Sequence, residues 1–274
     1  MKFTLGISPC PNDTFIFDAL VNKQIKIDDI EIECYFHDIE KLNTLAENNT
    51  YDISKLSFGA FLNLTDRYKM LRVGSAMGFG TGPLLIGKHK TSLKSLEGKK
   101  IAIPGRKTTA YLLLKLCTDI DFIPVEMIFS EIEDAITKGE VDAGVIIHES
   151  RFTYESKGLH LIHDLGNAWE LQTSAPVPLG TIALSNKVDR KYVPIIEDAI
   201  QKSIDIAYKR GVISDFVRNH AQEISDEVMQ NHINLYVNEY SNYIPDEGLH
   251  AVETMFDLAF EKGFIKQKPD SILA

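Results

Sequence analysis

The sequence predicts an α/β protein of two lobes around a cleft. Three observations carry that expectation. Apolar strand-like runs alternate with segments of helical spacing over most of the 274 residues. That length exceeds the usual size of one domain. Two stretches of small and rigid residues, Val73–Pro83 and Ser174–Gly180, break the alternation where the chain would cross between lobes.

In chain order, strand-like runs fall at Phe3–Ile7, Ile30–Phe36, Tyr51–Leu56, Leu84–Gly87, Lys100–Ile103, Ala143–Ile147 and Gly180–Leu184. Helical spacing marks Phe15–Val21, Asp38–Glu47, Phe58–Tyr68, Thr109–Leu116, Glu131–Lys138 and Arg190–Lys209, with Ile224–Tyr240 and Asp246–Lys262 at the carboxyl end. The first crossing runs from the Gly-rich segment through an apolar strand into polar Lys88–Lys100, and the second ends at Gly180. The expected first lobe is therefore discontinuous, residues 1–87 and 181–274, and residues 88–180 form an inserted second lobe. The cleft between lobes is the expected site.

Composition narrows the class of partner. With 44% hydrophobic and 25% charged residues the chain is not of a disordered type, and no apolar run approaches the ~18 residues of a membrane span. A formal net charge of −10 argues against a nucleic-acid partner, so an anionic ligand has to be held by local dipoles and a few placed cations. Met1–Gly6 enters a strand directly, without the pattern of a secretory leader, and the expected location is cytoplasmic. Three scattered cysteines, Cys10, Cys34 and Cys117, fit reduced thiols. No P-loop, dinucleotide fingerprint, Gly-x-Ser-x-Gly elbow or His-Glu-x-x-His helix occurs at a plausible position, which favours a mechanism with no cofactor and no metal.

Four segments end strands and would open onto the cleft. In Ser8-Pro-Cys-Pro-Asn-Asp-Thr14, two prolines fix a turn, and Asn12, Asp13 and Thr14 are candidate N-caps of a helix whose first N–H groups lack partners. Cys10 stands in this loop either as a core thiol or as a nucleophile. In Lys55-Leu-Ser57 the alternation stops at Ser57, which either caps a helix or meets a ligand, while Lys55 either adds positive charge or lies in solvent. In Ile101–Tyr111 a strand meets a Pro-Gly turn and then Thr108, Thr109 and Ala110. This start of a helix is the best anion site in the chain, with Arg106 or Lys107 to offset the acidic background. The fourth segment is a short apolar strand ending in His148, whose imidazole suits proton transfer near neutral pH; Asp13 or Glu149 could orient it. Trp169 either stacks on a ring or packs in the core. His37, His89, His220, His232 and His250 read as surface or packing residues.

Together, Ser8–Phe15, Lys55–Ser57, Thr108–Ala110 and Val141–His148 resemble the 1,4-dihydroxy-6-naphthoate synthases of the futalosine route to menaquinone, over nearly the whole chain. The resemblance implies a type II periplasmic-binding-protein-like fold and a carbon–carbon lyase acting on cyclic dehypoxanthine futalosine, a small carboxylate. It places His148 where the family has its proposed proton acceptor, and Lys55, Leu56, Ser57, Thr109 and Ala110 on substrate-contacting segments; Asn12, Asp13 and Thr14 would hold the polar remainder. Two rivals share the fold: a solute-binding protein, and the chorismate dehydratase of the same pathway.

Overall fold

The computed structural model describes residues 1–27, 30–221 and 225–274. Two mixed sheets form the frame. The first contains β1 (Lys2–Ile7), β2 (Glu31–Phe36), β3 (Ile53–Ser57), β4 (Tyr68–Met70), β5 (Ala76–Gly78) and the late strand β11 (Val177–Ser185). Its order is β2-β1-β3-β11-β4, with β5 beside the first half of β11. The second sheet has the order β10-β6-β9-β7-β8, built from β6 (Leu84–Gly87), β7 (Lys100–Ile103), β8 (Ile123–Glu126), β9 (Ala143–Ile146) and β10 (His160–Asp164). Strands β1, β2 and β3 run parallel, as do β7, β8 and β9, so their carboxyl ends are presented together at one edge of each sheet.

The crossings fall earlier than the sequence suggested. Strand β6, placed before the first crossing, pairs with β9 and β10 in the second sheet, and β11 pairs in the first sheet from Val177 onward. The switches between sheets therefore lie between Gly78 and Leu84 and between Asp164 and Val177. Ladder pairing, absent from a local pattern, makes that decision. The two crossing segments touch: Gly82 and Gly166 approach so closely that a Cβ on either would meet the backbone of the other.

Several helices differ from expectation for local reasons. The first starts at Pro11, not Phe15, because a proline at the first helical position loses no bond and has its φ already set. Its N-cap is Cys10, without a side-chain cap, so Asn12, Asp13 and Thr14 lie inside the first turn and do not cap it. The segment expected as Phe58–Tyr68 is helical only over Phe58–Phe61, then tightens into successive turns with bonds from Asn63 N to Ala60 O and Leu64 N to Phe61 O, freeing Tyr68 to join β4. The expected Ile224–Tyr240 helix is two, Asp226–Tyr236 and Glu239–Asn242, because Asn238 accepts from Tyr240 N and starts a new cap; Ile224 lies outside the described residues. A helix at Leu165–Thr173 was not foreseen.

One core lies under the outer face of the first sheet, where Phe3, Leu5, Ile7 and Phe17 meet Ile200, Ile204 and Met229 of the later helices. A second, larger core is continuous across both sheets, joining Leu56, Phe58 and Met70 to Leu85, Ile101, Leu113 and Trp169. Burial of this size holds the sheets in register around the space between them. No helix among the described residues is long and apolar enough to cross a membrane.

Candidate active site

All four strand-end segments converge on one cavity of about 90 Å³ between the sheets. Its wall includes Ser8, Asn12 and Asp13 after β1, Lys55 and Ser57 of β3, Thr108, Thr109 and Ala110 after β7, and Ile147 and His148 after β9. Not every predicted residue reaches it. Leu56 points to the opposite face from Lys55 and Ser57, as strand alternation demands, and is fully buried in the core. Thr14 is also fully buried, with its hydroxyl donating to the carbonyls of Cys10 (3.0 Å) and Pro11 (3.3 Å) of its own helix. Trp169 packs in the core and donates to Pro176 O at 3.0 Å, so the packing reading holds.

The corner after β1 is a closed polar network. Asp13 is 1% exposed and Lys55 5%, and Lys55 Nζ donates to Asp13 Oδ1 at 2.8 Å. Lys55 is therefore a buried ion-pair partner and not a solvated side chain. Asp13 Oδ2 accepts from the Ser8 hydroxyl at 2.7 Å and the Ser8 N–H at 3.2 Å, and Asn12 Nδ2 donates to Oδ1 at 3.0 Å. Such a carboxylate repays its burial only because each oxygen is bonded.

The corner after β7 is organised differently. Thr108 is the N-cap of the helix Thr109–Leu116; its hydroxyl accepts from Tyr111 N at 3.2 Å and donates to Gly105 O at 2.7 Å. The N–H groups of Thr109 and Ala110 have no partner within the helix and carry the positive end of its dipole toward the cavity. The Thr109 hydroxyl, expected to meet a ligand, is spent on the frame: it donates to Leu179 O at 2.5 Å and accepts from Gly59 N at 3.2 Å. The glycine is required at that approach, since a Cβ on Gly59 would lie 2.6 Å from Thr108 O. Arg106 and Lys107 turn away, to Glu126 and Glu47. Ser57 occupies the N-cap position of Phe58–Phe61 but makes no side-chain cap bond: its oxygen accepts from buried Asn43 Nδ2 at 3.0 Å, leaving the hydroxyl hydrogen for the cavity.

His148 is half-buried and follows directly on β9 in a left-handed conformation, φ 58°. Desolvation lowers its pKa to about 4; the Asp13 carboxylate opposes that shift and the Lys55 ammonium adds to it. The imidazole is thus neutral at neutral pH and has a lone pair to accept a proton. Cys10 Sγ lies 3.9 Å from Nε2, but burial pushes that thiol far up, so it stays protonated and cannot serve as a thiolate nucleophile.

Sequence reasoning missed three residues here. Asn43 brackets Ser57, donating to its oxygen and accepting from its N–H at 3.0 Å. Tyr236 lines the cavity, its phenol pushed up to about 12 by burial. His232, read as surface or packing, is fully buried in the cavity wall beside His148. The available signal was its position at helical spacing with Met229, Ile233 and Tyr236, a buried helix face carrying an imidazole.

Comparison with known proteins gives a consistent set of relatives. Residues 3–261 match a family model described as menaquinone biosynthesis. A 1,4-dihydroxy-6-naphthoate synthase of Thermus thermophilus is 41% identical over 266 residues, covering 97% of this chain and 96% of its own. One of the same name from Streptomyces coelicolor is 35% identical over 268 residues, covering 95% and 94%. Among solved structures, a protein of Archaeoglobus fulgidus superposes with a TM-score of 0.90 at 34% identity over 96% of this chain and 98% of its own. The alkanesulfonate-binding protein SsuA of Xanthomonas axonopodis pv. citri, bound to MOPS, gives 0.74 at 13% identity over 99% and 96%. At that identity the likeness establishes the periplasmic-binding-protein-like fold alone.

Proposed function

The chain belongs to the 1,4-dihydroxy-6-naphthoate synthase family, and from that premise we propose that it cleaves cyclic dehypoxanthine futalosine to 1,4-dihydroxy-6-naphthoate, with His148 as general base. The observation that carries the reading is the placement of the His148 imidazole on the same cavity as the capped helix start at Thr109, whose first N–H groups have no partner within the helix.

In this reading the substrate carboxylate rests on the N–H groups of Thr109 and Ala110, joined by the Ser57 hydroxyl. Asn12, Asp13 and Lys55, bonded to one another, form the polar wall against which the sugar-derived part lies. His148 removes a proton activated by a neighbouring carbonyl, the carbon–carbon bond breaks with release of a small sugar-derived fragment, and formation of the aromatic bicycle drives the sequence forward. A desolvated imidazole with a low pKa is a weak base in water, so its effectiveness depends on being held at hydrogen-bond distance from the proton it takes.

The test is incubation of the purified protein with cyclic dehypoxanthine futalosine and no added cofactor, followed by mass-resolved chromatography. Appearance of 1,4-dihydroxy-6-naphthoate supports the reading. Binding without turnover, or consumption of chorismate instead, overturns it in favour of a binding protein or the related dehydratase.

A further inference from the structure

His148 keeps a left-handed φ of 58°, an uncommon conformation for a residue other than glycine, though less so for histidine, and one that neighbouring contacts help to hold. Its own sheet supplies little of that. Strand β9 stops at Ile146, and the turn beyond is tied by backbone bonds from Arg151 N to His148 O at 3.4 Å and from Phe152 N to Glu149 O at 2.9 Å. Phe129 meets the imidazole edge-on, with centroids 4.9 Å apart.

Besides Phe129 and the Cys10 thiol, an ordering group comes from the helix Asp226–Tyr236, which packs against the first helix of the chain. The His232 ring lies nearly parallel to that of His148, 16° between planes and 5.9 Å between centroids. Its Nδ1 is 3.7 Å from Glu149 Oε2, on the residue that follows His148. At 3.7 Å the Nδ1–Glu149 separation is longer than a hydrogen bond, so the ordering contact on this turn is the stacking of the two rings.

His232 is itself fixed from behind. Lys55 Nζ and Asn12 Nδ2 both donate to Asp13 Oδ1, so the Asn12 amide has to present its oxygen on the other side, where His232 Nε2 lies 3.0 Å away. An amide oxygen only accepts, and Nε2 must therefore carry a hydrogen. The order of donors and acceptors, starting from an ammonium that can only donate, determines the tautomer of an imidazole three residues further along the chain of bonds.

We propose that His232 is a positioning residue for His148: the Lys55–Asp13–Asn12 chain locks His232 as its Nε2–H tautomer, and the locked ring holds the left-handed His148 turn from the opposite side of the cleft. This deepens the reading of His148 as the base and rests on it. It assigns the second imidazole no contact with the reacting atoms. The base is carried by one sheet and aimed by a buried polar chain rooted in the other.

Two measurements test it. The first needs no substrate: long-range proton–nitrogen correlation spectra of the nitrogen-15-labelled protein. His232 is expected with Nε2 protonated and Nδ1 bare at neutral pH, and its replacement in His232→Gln is expected to move or broaden the ring signals of His148. Protonation at Nδ1 alone, a mixture of tautomers, or His148 signals unchanged by the substitution would each overturn the proposal. The second is kinetic, on His232→Gln and His232→Phe, each checked for a cooperative melting transition. The expected result for both is a fall in kcat of about tenfold or more with KM within about threefold, the pattern of a misplaced catalytic group. A kcat within about threefold of the starting protein in both variants overturns it. A protein inactive on cyclic dehypoxanthine futalosine from the outset counts against the proposed reaction, and the spectra then decide the positioning role by themselves.

Discussion

Two strand-to-helix corners line the cavity, one after β1 and one after β7, and they use their polar groups in opposite ways. After β1, Ser8, Asn12 and Asp13 bond to one another and to Lys55, and the network ends on His232; its donors and acceptors are consumed within the protein. After β7, Thr108 satisfies Tyr111 N while the N–H groups of Thr109 and Ala110 have no partner within the helix, and the flanking cations turn outward. The first corner is built to hold geometry. The second leaves helix-start N–H groups on the cavity wall, where the proposed carboxylate would rest. An N-terminal helix turn suits either task, and the choice depends on whether a charged side chain is buried against it.

The largest loss is expected at His148, which ends the β9 segment on the same cavity wall. His148→Ala is expected to lower kcat by about 10²–10⁴, the usual contribution of a positioned acid or base, with little change in KM. Steady-state kinetics would check it, and full turnover in the variant would remove the base from the site. Next in size is Asp13→Ala, which leaves the Lys55 ammonium buried without its partner. A loss of about 3–5 kcal/mol in a denaturant melt is expected. Removing both charges in Asp13→Asn with Lys55→Met should recover much of that loss, since the penalty belongs to the orphaned charge. No recovery would mean that the first corner acts through packing and not through its ion pair.

Acid should reveal the buried imidazoles. The folded-state pKa of His148 is about 4, below the ordinary value of 6.5. Between those values the unfolded chain binds a proton that the folded one refuses. Stability is therefore fully present above about pH 6.5 and falls as pH drops toward 4, by about 1.4 kcal/mol per pH unit at most from this residue. His232, shifted the same way by burial and by the neighbouring His148, adds to the trend. Melting temperatures across that range would check the sign. The acid limb of kcat/KM should lie near 4, and a limb near 6.5 would mean that the imidazole is solvated in the free protein.

The smallest expected effect separates binding from framing at the second corner. Thr109→Val deletes a hydroxyl that bonds Leu179 O and Gly59 N, so a loss of about 1–3 kcal/mol in stability is expected from the unsatisfied groups. KM should stay within about threefold, because in the proposed binding mode the carboxylate meets the N–H and not the hydroxyl. A large rise in KM would restore the hydroxyl to the anion site.

Much of this site was legible because its parts are local. The β1 corner is marked by prolines, the β3 end by a broken alternation at Ser57, the β7 corner by Pro-Gly before two threonines, and the β9 end by an apolar run stopping at a histidine. Each is a pattern over a few residues, governed by backbone preference and periodicity. Misplaced residues were those whose role depends on direction. Leu56 has the wrong strand parity for the cavity, and the Thr14 and Thr109 hydroxyls found carbonyl partners that a linear reading does not supply.

Short-range sterics, apolar spacing and capping sufficed for the α/β class, for the alternation of its longer strands and helices, and for the four corners that carry polar residues, but not for the short strands at Tyr68–Met70 and Ala76–Gly78 or the helix Leu165–Thr173. Only the tertiary structure decided that Lys55 is buried against Asp13, that Asn43 brackets Ser57, and that His232 lies on His148. Asn12 and His232 are 220 residues apart, and no local preference encodes a bond over that distance. It forms because helix Asp226–Tyr236 packs on helix Pro11–Val21 and sets the buried imidazole against the Asn12 oxygen, and a buried donor must find an acceptor.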